Sequence, residues 1–186
     1  FRNSPLQKLH IGKGLSSIGR DAFCHGEYDP YTGQTKAARG IHSITIDPAN
    51  QRLAVSGPMV LSKDGKTLLA VLDGTVRLTI PDGVESIGSR ACEDLAGLSD
   101  VVFPDSLSVI GEKAFSNTGL RSVSFGANVR VIGREAFYFC RNLTSAVFGE
   151  HVEEIGDSAF AYTSIVSVSL PATLRTLGSN AFPSLN

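Results

Sequence analysis

Tryptophan is absent from the 186 residues, methionine occurs once and cysteine three times. Cys24, Cys92 and Cys140 are odd in number and occupy unlike positions, which excludes a disulfide framework and a zinc-binding spacing. An excess of one charge is also lacking. The 17 basic residues nearly cancel the 18 acidic ones, leaving a formal net charge of -1, so a general nucleic-acid binder and a polybasic membrane-surface protein are excluded. No run of about 18 apolar residues occurs, so no helical segment here spans a bilayer. A hydrophobic content of 42% nevertheless suffices for a packed core and excludes a disordered chain.

What is plentiful is periodic. The six-residue core Ile-Gly-x-x-Ala-Phe appears at Ile18–Phe23, Ile110–Phe115, Ile132–Phe137 and Ile155–Phe160, with the variants Ile87–Cys92 and Leu177–Phe182. From Ile87 onward the copies open at Ile87, Ile110, Ile132, Ile155 and Leu177, an almost constant interval within the range of known solenoid repeats. A second element, apolar-x-x-apolar-x-apolar, precedes each core. Its seven copies open at Leu6, Ile41, Thr75, Leu98, Leu120, Leu143 and Ile165. Alternation ending in β-branched or aromatic residues predicts a short strand with one buried face.

A single short strand per repeat cannot bury its apolar face alone, so stacked copies are required. The spacing predicts a mostly β solenoid of the α/β repeat type. It would carry a parallel sheet of about seven short strands and a return path of short helical or 3-10 turns. Phe1, Phe23, Phe115, Phe137, Phe160 and Phe182 fall in one repeat slot and are expected to form a stacked spine, while Phe103, Phe125 and Phe148 take a strand-end slot. The Ala before each spine Phe suits a close approach of neighbouring coils. The Gly after Ile suits either a positive φ or another tight approach.

Two units are expanded. Residues 24–40 form a polar, turn-rich insert carrying Tyr28 and Tyr31, expected as an exposed loop. Residues 47–74 contain Met59–Ser62 and Lys66–Val71 around Lys63-Asp64-Gly65. Asp-Gly between apolar runs predicts a β-hairpin standing in for the missing Ile-Gly-x-x-Ala-Phe core, entered through a turn at Asp47–Asn50. Regular repeats then occupy residues 75–186. Phe1 precedes Leu6 by the same gap that separates Phe115 from Leu120, so residues 1–186 read as one solenoid fragment of a longer array.

No catalytic constellation emerges. Gly65-Lys66-Thr67 imitates the end of a phosphate-binding loop, but position 60 is Val rather than the required Gly. His10 and His42 could approach each other across adjacent coils, yet a chance pair of surface histidines explains them more simply than a metal site. Catalytic, metal and cofactor sites are therefore expected to be absent. Residues between apolar strand positions should point outward. In the C-terminal half these are mostly Ser and Val, without the aromatic and Arg anchors of tight interfaces. The N-terminal half is more varied. Its candidates for partner contact are Lys8, His10, His42 and Arg77 on the strand face and Tyr28, Tyr31, Lys36 and Arg39 in the insert.

The unit Leu120–Cys140, the segment Pro81–Gly88 and the hairpin Leu61–Leu69 resemble the BspA-like class of leucine-rich repeats. The resemblance covers nearly the whole chain except residues 24–40. Departures are Cys92 for a spine Phe and Thr75 for a strand-opening Leu. The resemblance implies a right-handed leucine-rich-repeat coil and a secreted or cell-surface protein of host-associated bacteria or protists. It also implies adhesion to a protein or glycan ligand, such as a host extracellular-matrix protein, and no enzymatic activity. A structural spacer without a ligand of its own is the competing reading. A monomer is expected, with no nucleic-acid partner.

Overall fold

Strict alternation gives each Leu-x-x-Val-x-Phe segment one wet and one dry face, and stacking hides the dry one. The computed structural model describes residues 6–18, 27–28, 35–36 and 41–182. Six of the seven segments are short strands joined as three parallel pairs. Lys8–Ile11 lies beside Ser43–Ile46, Arg77–Thr79 beside Asp100–Val102, and Ser122–Ser124 beside Ser145–Val147. The seventh, opening at Ile165, runs alongside without a strand ladder, tied by the Ser164 N–H to the Leu143 carbonyl at 2.9 Å.

A second column of strands accompanies the first. Ser86–Ile87, Val109–Ile110, Val131–Ile132, Glu154–Ile155 and Thr176–Leu177 pair in parallel, in register. These are the Ile-Gly positions. Each strand is a dipeptide, too short for alternation to reveal, which is why the sequence pattern suggests one strand per unit. Ile87, Ile110, Ile132 and Ile155 are buried in the core.

The return path holds no helical or 3-10 turn among the described residues, which corrects the expectation of short helices there. Instead the chain makes tight turns containing left-handed residues. Arg90, Lys113, Glu135, Ser158 and Asn180 have φ between 54° and 62° at one slot. Asp94, Asn117, Phe139 and Tyr162 have φ between 56° and 65° at a second. The N–H groups of Lys113, Phe115 and Asn117 donate to the coil ahead, at Arg134, Ala136 and Tyr138. The carbonyls of Glu112, Ala114 and Ser116 accept from Arg90, Cys92 and Asp94 of the coil behind. Backbone groups that a helix would satisfy internally are thus satisfied between coils.

The motif glycines fill the second of the two roles expected for them. Positive φ falls on the residue two places later, not on the glycine. At Gly111 an added Cβ would lie 2.7 Å from the Ile87 carbonyl oxygen and 2.8 Å from the Ser89 nitrogen, so only hydrogen fits between the coils.

Inside the coils, Phe115, Phe137, Phe160 and Phe182 stack nearly parallel, with ring centroids 5.1 to 5.2 Å apart. Phe103, Phe125 and Phe148 form a second stack at 5.7 and 5.3 Å. The two stacks meet edge to face, as at Phe125 and Phe137, 5.6 Å apart and 69° inclined. Phe1 and Phe23 lie outside the described residues.

The expanded unit at residues 47–74 contains the Met59–Ser62 and Thr67–Val71 hairpin and one strand more. Leu53–Ser56 pairs antiparallel with Met59–Ser62, making a three-stranded meander. Thr67–Val71 then pairs in parallel with Ser86–Ile87, so the hairpin occupies the place of an Ile-Gly strand. Its apolar run is dry on both sides. Met59, Leu61, Leu68 and Val71 face the large core of the regular repeats. Val60, Ala70 and Leu72 face a smaller core with Ile41 and Ile44. The meander is a wall between two cores, which explains a continuous rather than alternating apolar sequence.

Asn50 joins the N-terminal coil to this wall. It is wholly buried, and its Nδ2 donates to the carbonyls of Gly12 and Leu15, both at 3.0 Å. Its Oδ1 accepts from the N–H groups of Arg52 at 2.8 Å and Leu53 at 2.9 Å. Asn50→Ala would strand two donors and two acceptors, and a loss of about 2–4 kcal/mol is expected in denaturant melts. A loss below about 0.5 kcal/mol, the low end for a net hydrogen bond, would show that water replaces the amide without cost.

Candidate functional site

On the N-terminal strand face, Lys8 lies opposite Ser43 and His10 opposite Thr45. His10 Nδ1 is 2.9 Å from Thr45 Oγ1. His42 sits three positions from Thr45, with its Nδ1 against the Asp73 carbonyl at 3.4 Å. The register therefore pairs His10 with Thr45, not with His42. Arg77 belongs to a different ladder, opposite Asp100. Lys8, His10 and Arg77 fall on two separate strand pairs, one on each side of the meander, and His42 immediately precedes the strand beside Lys8 and His10.

In the insert, Glu27–Tyr28 and Thr35–Lys36 form an antiparallel pair, with Tyr28 opposite Thr35 and Glu27 opposite Lys36. Tyr31 and Arg39, like Cys24, lie outside the described residues.

The two described thiols are buried structural groups. Cys92 holds the spine slot, and burial pushes its thiol pKa far up. Cys140 Sγ is 3.0 Å from the Phe115 carbonyl and 3.2 Å from Thr118 Oγ1. Burial raises its pKa to about 11, against the opposing influence of Thr118. Neither is a thiolate near neutrality. Among the described residues, no group of three or more His, Cys, Asp or Glu side chains could hold a metal ion.

The aromatic anchors lacking from the strand face occur on the return side. Tyr138 and Tyr162 meet at 5.2 Å and 76°, and Phe139 and Tyr162 at 5.8 Å. Arg141 Cζ lies 4.1 Å over the Phe139 ring. Tyr162 is 61% exposed. Beside these rings runs a groove of about 800 Å³, lined by Tyr138, Tyr162, Ser158, Thr163, Asn180 and Phe182. Lys113 and Glu135 border it and pair at 2.9 Å, while Arg134 reaches Glu135 at 2.7 Å. Burial alone would raise the Glu135 pKa, but the hydrogen bond and charge of Lys113, with Arg134, hold it below the ordinary value.

Phe139 and Tyr162 share a slot with Asp94 and Asn117, whose side chains hydrogen-bond each other at 2.9 Å. Asp and Asn enter left-handed backbone readily, whereas bulkier residues do so at a cost of about 1–2 kcal/mol. Following this slot from coil to coil shows the change from Asp and Asn to Phe and Tyr in the sequence alone.

Known proteins share this architecture. No curated protein matches the chain. A leucine-rich repeat protein of T. pallidum superposes with a TM-score of 0.61 at 24% identity, covering 75% of this chain and 67% of that one. The pneumococcal vaccine antigen PcpA superposes at 0.59 with 15% identity, over 95% of this chain and 36% of that one. A leucine-rich repeat protein of Eubacterium ventriosum gives 0.55 at 14% identity, over 95% and 58% respectively. The chain thus spans little more than half of the Eubacterium protein and about a third of the pneumococcal one. At these identities the likeness is one of fold. Residues 74–186 match six copies of the BspA type leucine rich repeat region, and the chain belongs to that repeat family.

Proposed function

We propose that the chain is a non-enzymatic repeat module of a surface-displayed or secreted protein and binds a protein partner through exposed repeat positions. Host matrix proteins are the finer expectation. The observation that carries this reading is the BspA type repeat over residues 74–186. Inward slots repeat as Ile, Ala and Phe, while outward strand slots change from Lys8, His10 and Arg77 in the N-terminal half to mostly Ser and Val in the C-terminal half. Constant interiors with variable exteriors suit recognition, because outward residues can change without disturbing the stack.

The N-terminal half supplies the partner contacts in this reading. Lys8, His10, His42 and Arg77 act from the strand face, and Tyr28, Tyr31, Lys36 and Arg39 from the insert. No helix among the described residues is long and apolar enough to cross a membrane.

The test is binding of the chain to immobilised host matrix proteins, with and without residues 26–39. Deletion is expected to weaken the affinity at least tenfold while the unfolding midpoint stays unchanged. An unaltered affinity removes the insert from the interface. Silence across a broad matrix panel, with binding by neighbouring regions of the full protein, turns the assignment to a spacer.

A further inference from the structure

We propose that the return-side corner formed by Tyr138, Phe139 and Tyr162 is a stacking platform for an uncharged saccharide ring. This surface is distinct from the strand face and does not rest on the reading given for that face.

The turn itself does not ask for these aromatics. Asp94 and Asn117 fill the same left-handed slot in the two preceding coils, with the same inter-coil ladder. Asn is well suited to that backbone and Tyr is not. Phe139, at φ 62°, and Tyr162, at φ 59°, therefore occupy a slot whose backbone Asp94 and Asn117 adopt at lower conformational cost. Strain that the architecture does not require points to a use outside it. Tyr162 gains little from burial, since it stands 61% exposed.

The chemistry of the corner selects among ligands. Tyr138 and Tyr162 pack edge to face at 5.2 Å and 76°, which fixes both rings in place, and both line the groove. Ser158, Thr163 and Asn180 bring hydroxyl and amide groups to the groove. Thr163 Oγ1 already donates to the Phe160 carbonyl at 2.8 Å and keeps its acceptor capacity. Each charge at the border has a partner within the protein, since Lys113 and Arg134 both pair with Glu135, which leaves one net positive charge shared between them. A basic ligand would meet that positive charge, and an acidic one would have to draw a cation away from Glu135. A pyranose ring has an apolar C–H face for the aromatic floor and in-plane hydroxyls for the amide and hydroxyl rim, and it carries no charge.

The test uses ligand-observed saturation-transfer NMR on the whole chain. The probes are uncharged sugars: glucose, galactose, N-acetylglucosamine and their short oligomers. Tyr162→Asn and Phe139→Asn install the residue that fills this slot at Asn117. Both variants are expected to unfold at the same midpoint as the parent chain or higher. At least one sugar should give ring C–H saturation with the parent chain, weakened tenfold or more by Tyr162→Asn and insensitive to salt. Matrix-protein binding through the strand face should be unchanged by the same substitution, so the two readings fail separately. Absence of saturation with every sugar overturns the proposal. So does saturation that persists in Tyr162→Asn, or a marked drop in the unfolding midpoint, which would make the rings packing elements. Loss of binding to a proline-rich peptide, rather than to sugar, would reassign the corner to a peptide.

Discussion

Phe137→Ala is expected to remove about 3–5 kcal/mol of stability, the largest effect of any single truncation in the spine. Phe137 has no exposed surface and sits between Phe115 at 5.2 Å and Phe160 at 5.1 Å. Phe125 presses its edge at 5.6 Å. The backbones carrying the flanking rings are fixed by bonds to the coil ahead, since Phe115 donates its N–H to the Ala136 carbonyl and Phe160 to the Ala181 carbonyl. They cannot slide together to close the gap. The cavity therefore persists, and both neighbouring interfaces lose contact. A chemical denaturation midpoint shift worth less than about 1 kcal/mol, well under the usual range for a buried ring, would mean that the rings are not the stabilising column described above.

The second large effect comes from adding atoms rather than removing them. In Gly133→Ala the new Cβ would stand 2.9 Å from three backbone atoms of the preceding coil: Glu112 N, Gly111 C and Ile110 O. Backbone cannot rotate aside as a side chain can, so the coils must part. The bond from Gly133 N–H to the Ile110 carbonyl, now 2.8 Å, would stretch with them. The expected cost is about 2–3 kcal/mol. Gly97→Ala supplies the contrast, because nothing lies within 4 Å of its Cβ and its φ is outside the left-handed range. There the loss of unfolded-state freedom should stabilise by about 0.4–1 kcal/mol. Equal effects at the two sites in thermal melts would refute close coil contact as the reason for the motif glycine.

Repetition made the fold readable. A side chain that recurs once per coil, as Ile110, Ile132 and Ile155 do, reports its own environment several times over. The Asp64-Gly65 turn was legible for a local reason. Gly65 takes φ 73°, and Asp64 Oδ1 accepts from Ser62 Oγ at 2.6 Å and from Lys66 N–H at 3.0 Å. Other features lacked such signals. The dipeptide strands at Ile-Gly are too short to show alternation. Leu53–Ser56 became a strand only because Met59–Ser62 lay beside it. Asn50 resembles any turn residue until its four partners, two of them far back along the chain at Gly12 and Leu15, are seen together. Of the site, the outward Lys8, His10 and Arg77 followed from alternation, but their division between two strand pairs did not. Tyr138 and Tyr162 lie outside the alternating segments, so no strand-face pattern reaches them.

The inter-coil bonds of the return side carry an electrical consequence. The peptide unit linking Glu112 to Lys113 has its carbonyl pointing to the coil behind and its N–H to the coil ahead. Those linking Ala114 to Phe115 and Ser116 to Asn117 are oriented alike. Peptide dipoles of about 3.5 D thus line up along the rod, as they do along a helix axis, with partial positive charge at the forward end and negative charge at the rear. The rear of the central row is closed by the meander, where Val71 N–H meets the Ala91 carbonyl at 2.9 Å. Side chains at the first left-handed slot complement this polarity, with the cations Arg90 and Lys113 toward the negative rear and Glu135, Ser158 and Asn180 further forward. Adding a coil lengthens such a row but leaves its end charges unchanged, so an array of this kind can grow by duplication without a mounting electrostatic cost.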